Sequence, residues 1–229
     1  MAYVLDGKSI DFNEKKKLPL LAKGKNGNVY CYGNSALKVF NNIEEPPISL
    51  ETTKYLTTVN TERILLPRKI LFYDDAFSGY SLKLVPKKGN EKKLINSPKE
   101  QLIENIVALE GDIYKISRKN ILLSDMSPEN VKYNGGLYIS DPSKYTILDL
   151  PKPGDMESEL EKINKFQLHL LLTELFSEEL RKINYTKDAI NRLKEMFALR
   201  DLDQNPSDFL NDIMDGQNTI KEMVKKINR

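Results

Sequence analysis

The sequence predicts an α+β protein in which a small, mainly antiparallel β-rich N-terminal lobe with one helix precedes a reduced, mainly helical C-terminal lobe. Three observations carry that expectation. Strand-like runs bounded by turn signals fill residues 1–86, amphipathic helical runs dominate from about Ser97, and a polar linker at Gly89-Asn90 lies between. The linker divides the chain into lobes at residues 1–89 and 90–229, together one domain.

Taken in order, "YVLDGKSIDF" reads as a hairpin turning at Asp6-Gly7. "LPLLAKGKNGNVYCYGNSALKVF" reads as two strands joined at Gly33-Asn34, the first preceded by a glycine-rich turn. "PISLETTKYLTTVN" has helical spacing, with Pro47 near its start and Ser49 placed to cap it. "RILLPRKILFY" and "GYSLKLV" are strand-like and meet at Asp74-Asp75. "SPKEQLIENIVALEGDIYKISRKN" is amphipathic, with Ser97 as the expected cap, Pro98 at the first helical position and Glu100 closing a capping box. "VKYNGGLYIS" is a hairpin turning at Asn134-Gly135-Gly136. After a Pro/Gly break at "LPKPGD", four helical runs follow: "ESELEKINKFQLHLLLTELF", "TKDAINRLKEMFAL", "PSDFLNDIM" and "NTIKEMVKKI".

Composition removes several function classes. Thirty-five basic residues against 33 acidic ones leave a formal charge of +2, with short Lys runs broken by acids, so no nucleic-acid partner is expected. One cysteine, Cys31, cannot form an internal disulfide and fits a reducing compartment. The N-terminus has no apolar signal-peptide run and no window approaches a membrane span. The expected location is cytoplasmic, with delivery as an effector by a non-classical route as the alternative. The single histidine, His169, excludes a multi-His metal site, and its apolar helical run marks it as a packed core residue. Carboxylate and lysine chemistry remain.

One stretch offers that chemistry. "LLSDMSPENVKYNGGLYISDPSKY" holds Asp125, then Asn130 five residues on, then Asp141 after the hairpin. Phosphoryl transfer from a nucleotide needs a divalent cation on oxygen ligands and a carboxylate to orient the attacking hydroxyl. An Asp opening a loop, an Asn at its end and an Asp past a hairpin supply those groups in one cleft.

With these residues in view, the chain resembles the protein-kinase-like superfamily over roughly residues 18–210. "SDMSPENV" is similar to the catalytic loop through Asp125, Pro128, Glu129 and Asn130, and "YISDPSKY" to the metal-binding segment through Asp141. "LLAKGKNGNVY" resembles the glycine-rich phosphate loop, with Gly24 and Gly27 as two of its glycines and Val29 as the valine over the adenine. "ALKVF" matches the strand lysine, Lys38, which the resemblance assigns to the nucleotide phosphates and to an ion pair with Glu51 of the next helix. It also implies nucleotide contacts at Leu84 and Val85, and a largely solvent-facing Lys38. "NKFQLHLLLTELF" resembles the buried C-lobe helix, with Asn164 where an Asp is usual.

The pattern is also broken. Ala22 stands at the first glycine, Leu123 and Ser124 at the catalytic-loop His and Arg, Ser127 at the loop lysine and Ser143 at the glycine after the metal Asp; no Ala-Pro-Glu follows. What survives is the metal-and-phosphate set. The resemblance therefore implies a compact, divergent protein kinase of Ser/Thr type, of a bacterial or viral kind, using ATP and Mg2+ on a protein substrate. Asp125, Lys38 and Asn130 would be catalytic, and Asn130 and Asp141 would hold the metal. The alternatives are a pseudokinase serving as a binding module and a small-molecule phosphotransferase of the aminoglycoside type.

Overall fold

A computed structural model describes residues 2–10, 18–85, 94–124, 126–140, 145–149 and 157–227. The described residues divide into two compact units: residues 2–61 and 65–85 with Ser140 in the first; Glu62–Ile64, residues 94–139 and the chain from Tyr145 in the second. The expected linker at Gly89-Asn90 and the break at "LPKPGD" lie outside the described residues.

The first unit is an antiparallel sheet of seven strands: β1 (Tyr3–Leu5), β2 (Lys8–Ile10), β3 (Leu20–Lys23), β4 (Gly27–Tyr32), β5 (Ser35–Phe40), β6 (Lys69–Tyr73) and β7 (Ala76–Lys83). Their spatial order is β2-β1-β6-β7-β5-β4-β3. The tight turns use residues that tolerate positive φ: Asp6 (52°) with Gly7 (73°), and Asp74 (45°) with Asp75 (65°). The glycine-rich turn has a strand on each side, so β3 adds to the two strands expected there. Helix α1 (Leu50–Leu56) begins where expected, the Thr52 N–H donating to Ser49 Oγ at 3.0 Å.

Strand β5 is buried from Ala36 to Phe40, so no polar alternation marks it. Leu37 and Val39 join a cluster with Leu5, Ile10, Leu18 and Leu71. Phe40 packs edge-on against Phe77 and Tyr80, with centroids 5.1 and 5.8 Å away.

The second unit is built on α2 (Lys99–Ser117) and α3 (Glu157–Lys182), with α4 (Lys187–Ala198), α5 (Pro206–Ile213) and α6 (Ile220–Ile227) around them. Buried Leu102, Ile106, Leu109, Ile113 and Ile116 recur at helical spacing along α2. Two antiparallel pairs complete the unit: β8 (Ile121–Leu123) with β11 (Tyr145–Ile147), and β9 (Val131–Tyr133) with β10 (Leu137–Ile139).

Two sequence expectations change here. Helix α2 has Pro98 at its cap position and no side-chain cap, because the Ser97 hydroxyl is 2.6 Å from the Tyr133 hydroxyl and shares a hydrogen bond with it. The run from Arg63 is strand only from Lys69: Asp112 takes the N–H groups of Arg63 and Ile64, and Pro67 has none to give. The Asp112 carboxylate is 1% exposed and accepts the Glu62, Arg63 and Ile64 N–H groups at 2.8, 2.5 and 3.0 Å. Arg63 and Ile64 meet β10 as well: the Ile139 N–H donates to the Arg63 carbonyl at 2.9 Å, and Ile64 forms a bridge with Ile139.

Candidate functional site

In an antiparallel sheet, directly paired residues share a face. Strand register pairs Val29 of β4 with Lys38 of β5, and Lys38 with Tyr80 of β7, so these three side chains form one row. Lys38 Nζ lies 5.9 Å from the Tyr80 ring centroid. Lys38 is 6% exposed, which corrects the expectation of a solvent-facing lysine. Its stem is enclosed because both neighbours in the row are large or branched and β5 is central in the sheet.

The glycine-rich turn closes the β3–β4 hairpin beside this row. Its backbone doubles back through the Gly24 N–H, which donates to the Gly27 carbonyl at 3.0 Å. Gly27 is obligatory, because a Cβ there would collide with the Val39 carbonyl of β5. Asn41, the first residue after β5, was not legible as a site residue. Its side-chain amide donates to the Gly24 and Lys25 carbonyls at 3.0 and 2.9 Å, and its backbone N–H donates to the Asn26 carbonyl at 3.3 Å. Asn28 Nδ2 donates to Asn41 Oδ1 at 3.3 Å, which fixes which end of the carboxamide faces the loop. An Asn pair ending an apolar strand is the only sign of this in the sequence.

Glu51 does not join the row. It sits exposed in the first turn of α1, and no ion pair links it to Lys38 among the described residues. The buried face of α1 carries Thr53 and Leu56 instead, and Glu51 lies off that stripe. Its place at the helix N-terminus, where a carboxylate is favoured by the helix dipole, accounts for it locally. Leu84 and Val85 follow β7, half-buried, with the Leu84 N–H 3.4 Å from the Asn34 carbonyl.

In the second unit, Asn130 ends a 3-10 turn at Pro128–Asn130, half-buried, its N–H donating to the Ser127 carbonyl at 3.0 Å. The β9–β10 register pairs Val131, next to Asn130, with Ile139 at the open end of the hairpin. Asp125 and Asp141 both lie outside the described residues. Among the described residues no group of three or more His, Cys, Asp or Glu is placed to hold a metal ion.

The strand that leads into Asp125 is held from below. Asn164 of α3 is fully buried; its Oδ1 accepts the Leu123 N–H at 2.9 Å and its Nδ2 donates to Ser117 Oγ and the Ile121 carbonyl, each at 2.9 Å. All three polar groups would otherwise be buried and unmatched. An ionised Asp at this position could accept the Leu123 N–H and the Ser117 hydroxyl proton but could not donate to the Ile121 carbonyl, so the Asn is suited to that carbonyl neighbour.

His169 is a core residue, as its sequence context indicates. It is 3% exposed, its Nε2 lies 2.6 Å from the Phe197 carbonyl, and it packs edge-on against Phe209. Burial, aided by the nearby Arg200 charge, pushes its pKa down to about 4. No helix among the described residues is long and apolar enough to cross a membrane.

No family model matches the chain, and no curated protein matches it. Among solved structures, the Cydia pomonella granulovirus kinase PK-1 is similar, with a TM-score of 0.51 and 14% identity, over 87% of this chain and 94% of that one. At that identity the likeness concerns the backbone fold alone. The chain has a protein-kinase-like fold.

Proposed function

We propose that this protein is an ATP-dependent phosphotransferase of the protein-kinase type, transferring the γ-phosphoryl group of Mg-ATP to a Ser or Thr hydroxyl of a protein. The observation that carries the reading is Lys38. Lys38 is 6% exposed on a central strand, and it lies in register with Val29 beside the glycine-rich turn. Such a placement suits a cation that meets phosphate oxygens over the sheet. Gly24 and Gly27 bring backbone rather than side chain to that end of the hairpin, which fits a polyphosphate.

In this reading Val29, Leu84 and Val85 take the adenine, and Lys38 orients the phosphates. Asn130 and Asp141 would hold Mg2+, which neutralises phosphate charge when bound. Asp125 accepts the proton of the acceptor hydroxyl as its oxygen attacks the γ-phosphorus and the bond to the β-phosphate oxygen breaks, releasing ADP.

A second reading has its own support. No ion pair joins Glu51 to Lys38 among the described residues, and a pseudokinase that binds partners without turnover would tolerate that. Incubation with γ-labelled ATP and Mg2+, with and without generic protein substrates, separates the two. Label transferred to protein, and lost in Asp125→Ala, supports the enzyme. A Mg-ATP-dependent rise in melting temperature with no transfer supports the pseudokinase.

A further inference from the structure

The phosphate loop carries a device beyond its glycines. Three consecutive carbonyls, those of Gly24, Lys25 and Asn26, converge on the single residue Asn41: two on its side-chain amide, one on its backbone N–H. In a trans peptide the C=O of one residue and the N–H of the next point in opposite directions. No peptide bond here is cis. The N–H groups of Lys25 and Asn26 must therefore leave the loop on the side away from Asn41. Neither has a hydrogen-bond partner among the described residues. Two successive backbone donors on one side of a tight turn form an anion-binding concavity.

We propose that Asn41 is a positioning residue for the phosphates of a bound nucleotide. It turns the peptide planes of residues 24–26 so that the Lys25 and Asn26 N–H groups face an anionic oxygen. The inference rests on the nucleotide reading above and adds what orients the loop. Asn41 is exposed and its side-chain hydrogen bonds go to the loop and to Asn28, so its removal should loosen the loop and spare the sheet. Asn28 holds the Asn41 carboxamide with its Nδ2 toward the loop, and an Asp at position 41 would turn a carboxylate oxygen toward the same carbonyls.

The test compares ADP with adenosine by titration calorimetry in wild type, Asn41→Ala and Asn41→Asp. Losing two side-chain hydrogen bonds that order the loop should weaken ADP by about tenfold. Adenosine, which lacks the phosphates, should bind within about twofold of wild type, a split that a general loss of structure would not produce. In wild type, the Lys25 and Asn26 amide resonances should shift with ADP and stay put with adenosine. Equal ADP affinity in wild type and both variants, or unmoved Lys25 and Asn26 amides, overturns the role of Asn41 and leaves the nucleotide reading standing. Wild-type protein that binds ADP no more tightly than adenosine, or binds neither, overturns the nucleotide reading itself.

Discussion

Asn164 accepts the Leu123 N–H at 2.9 Å while its amide nitrogen donates to the Ile121 carbonyl at the same distance, so one carboxamide closes both ends of β8. An Asp could accept the Leu123 N–H and the Ser117 hydroxyl proton, but would set a carboxylate oxygen against the Ile121 carbonyl. Asn164→Asp should destabilise the protein by about 1–3 kcal/mol at neutral pH. Burial and the facing carbonyl raise the new carboxyl's folded pKa above its unfolded value, so the folded state holds the extra proton. The penalty should therefore grow as pH rises from about 4, the unfolded carboxylate value, to 8. Urea midpoints of the variant and wild type across that range check it; a penalty independent of pH would show that the side chain escapes to water.

The Asp112 clamp makes a second prediction. Its carboxylate takes three successive N–H groups, from Glu62 to Ile64, and the Lys115 ammonium at 3.2 Å. Asp112→Asn retains one acceptor oxygen and should cost about 1–3 kcal/mol; Asp112→Ala should cost more, because it leaves all three donors without an acceptor. Denaturation gives the energies. Amide exchange at residues 62–64 should quicken in both variants before exchange in α2 does.

Lys38→Met should reduce ATP-dependent labelling by about a hundredfold or more, the scale for losing a charge that stabilises a transferring group. Its melting temperature should change little, because an apolar stem of similar length keeps the packing of the enclosed lysine stem. Full labelling by the variant would remove Lys38 from the site.

His169 gives a pH dependence of its own. Its pKa is about 4 folded, against 6.5 for an unperturbed imidazole. Between these values the unfolded chain takes up a proton that the folded protein refuses, so stability is full above pH 6.5 and falls as pH drops toward 4. The contribution is on the order of 3 kcal/mol. His169→Gln should flatten that part of the pH–stability curve, measured by denaturant unfolding, relative to wild type.

Much of this protein follows from local chemistry. The Asp6-Gly7 and Asp74-Asp75 turns, the Ser49 cap of α1, the β9–β10 hairpin and the apolar stripes of the helices follow from the properties of a few adjacent residues, and are legible for that reason. Family order and turn glycines were likewise enough to anticipate the protein-kinase-like fold. Tertiary structure decided what depends on partners distant in the chain. Ser97 turned from its helix to Tyr133, 36 residues on; Asp112 took the Glu62 N–H, 50 residues before it; Lys38 was enclosed by the strand carrying Tyr80. Glu51 faced outward because the packing stripe of α1 ran through Thr53 and Leu56, and Asn41 met the glycine loop only because β4 and β5 pair in that register. A hydrogen bond or a buried face is chosen by whichever groups folding brings within about 3 Å, and sequence neighbours supply only some of them.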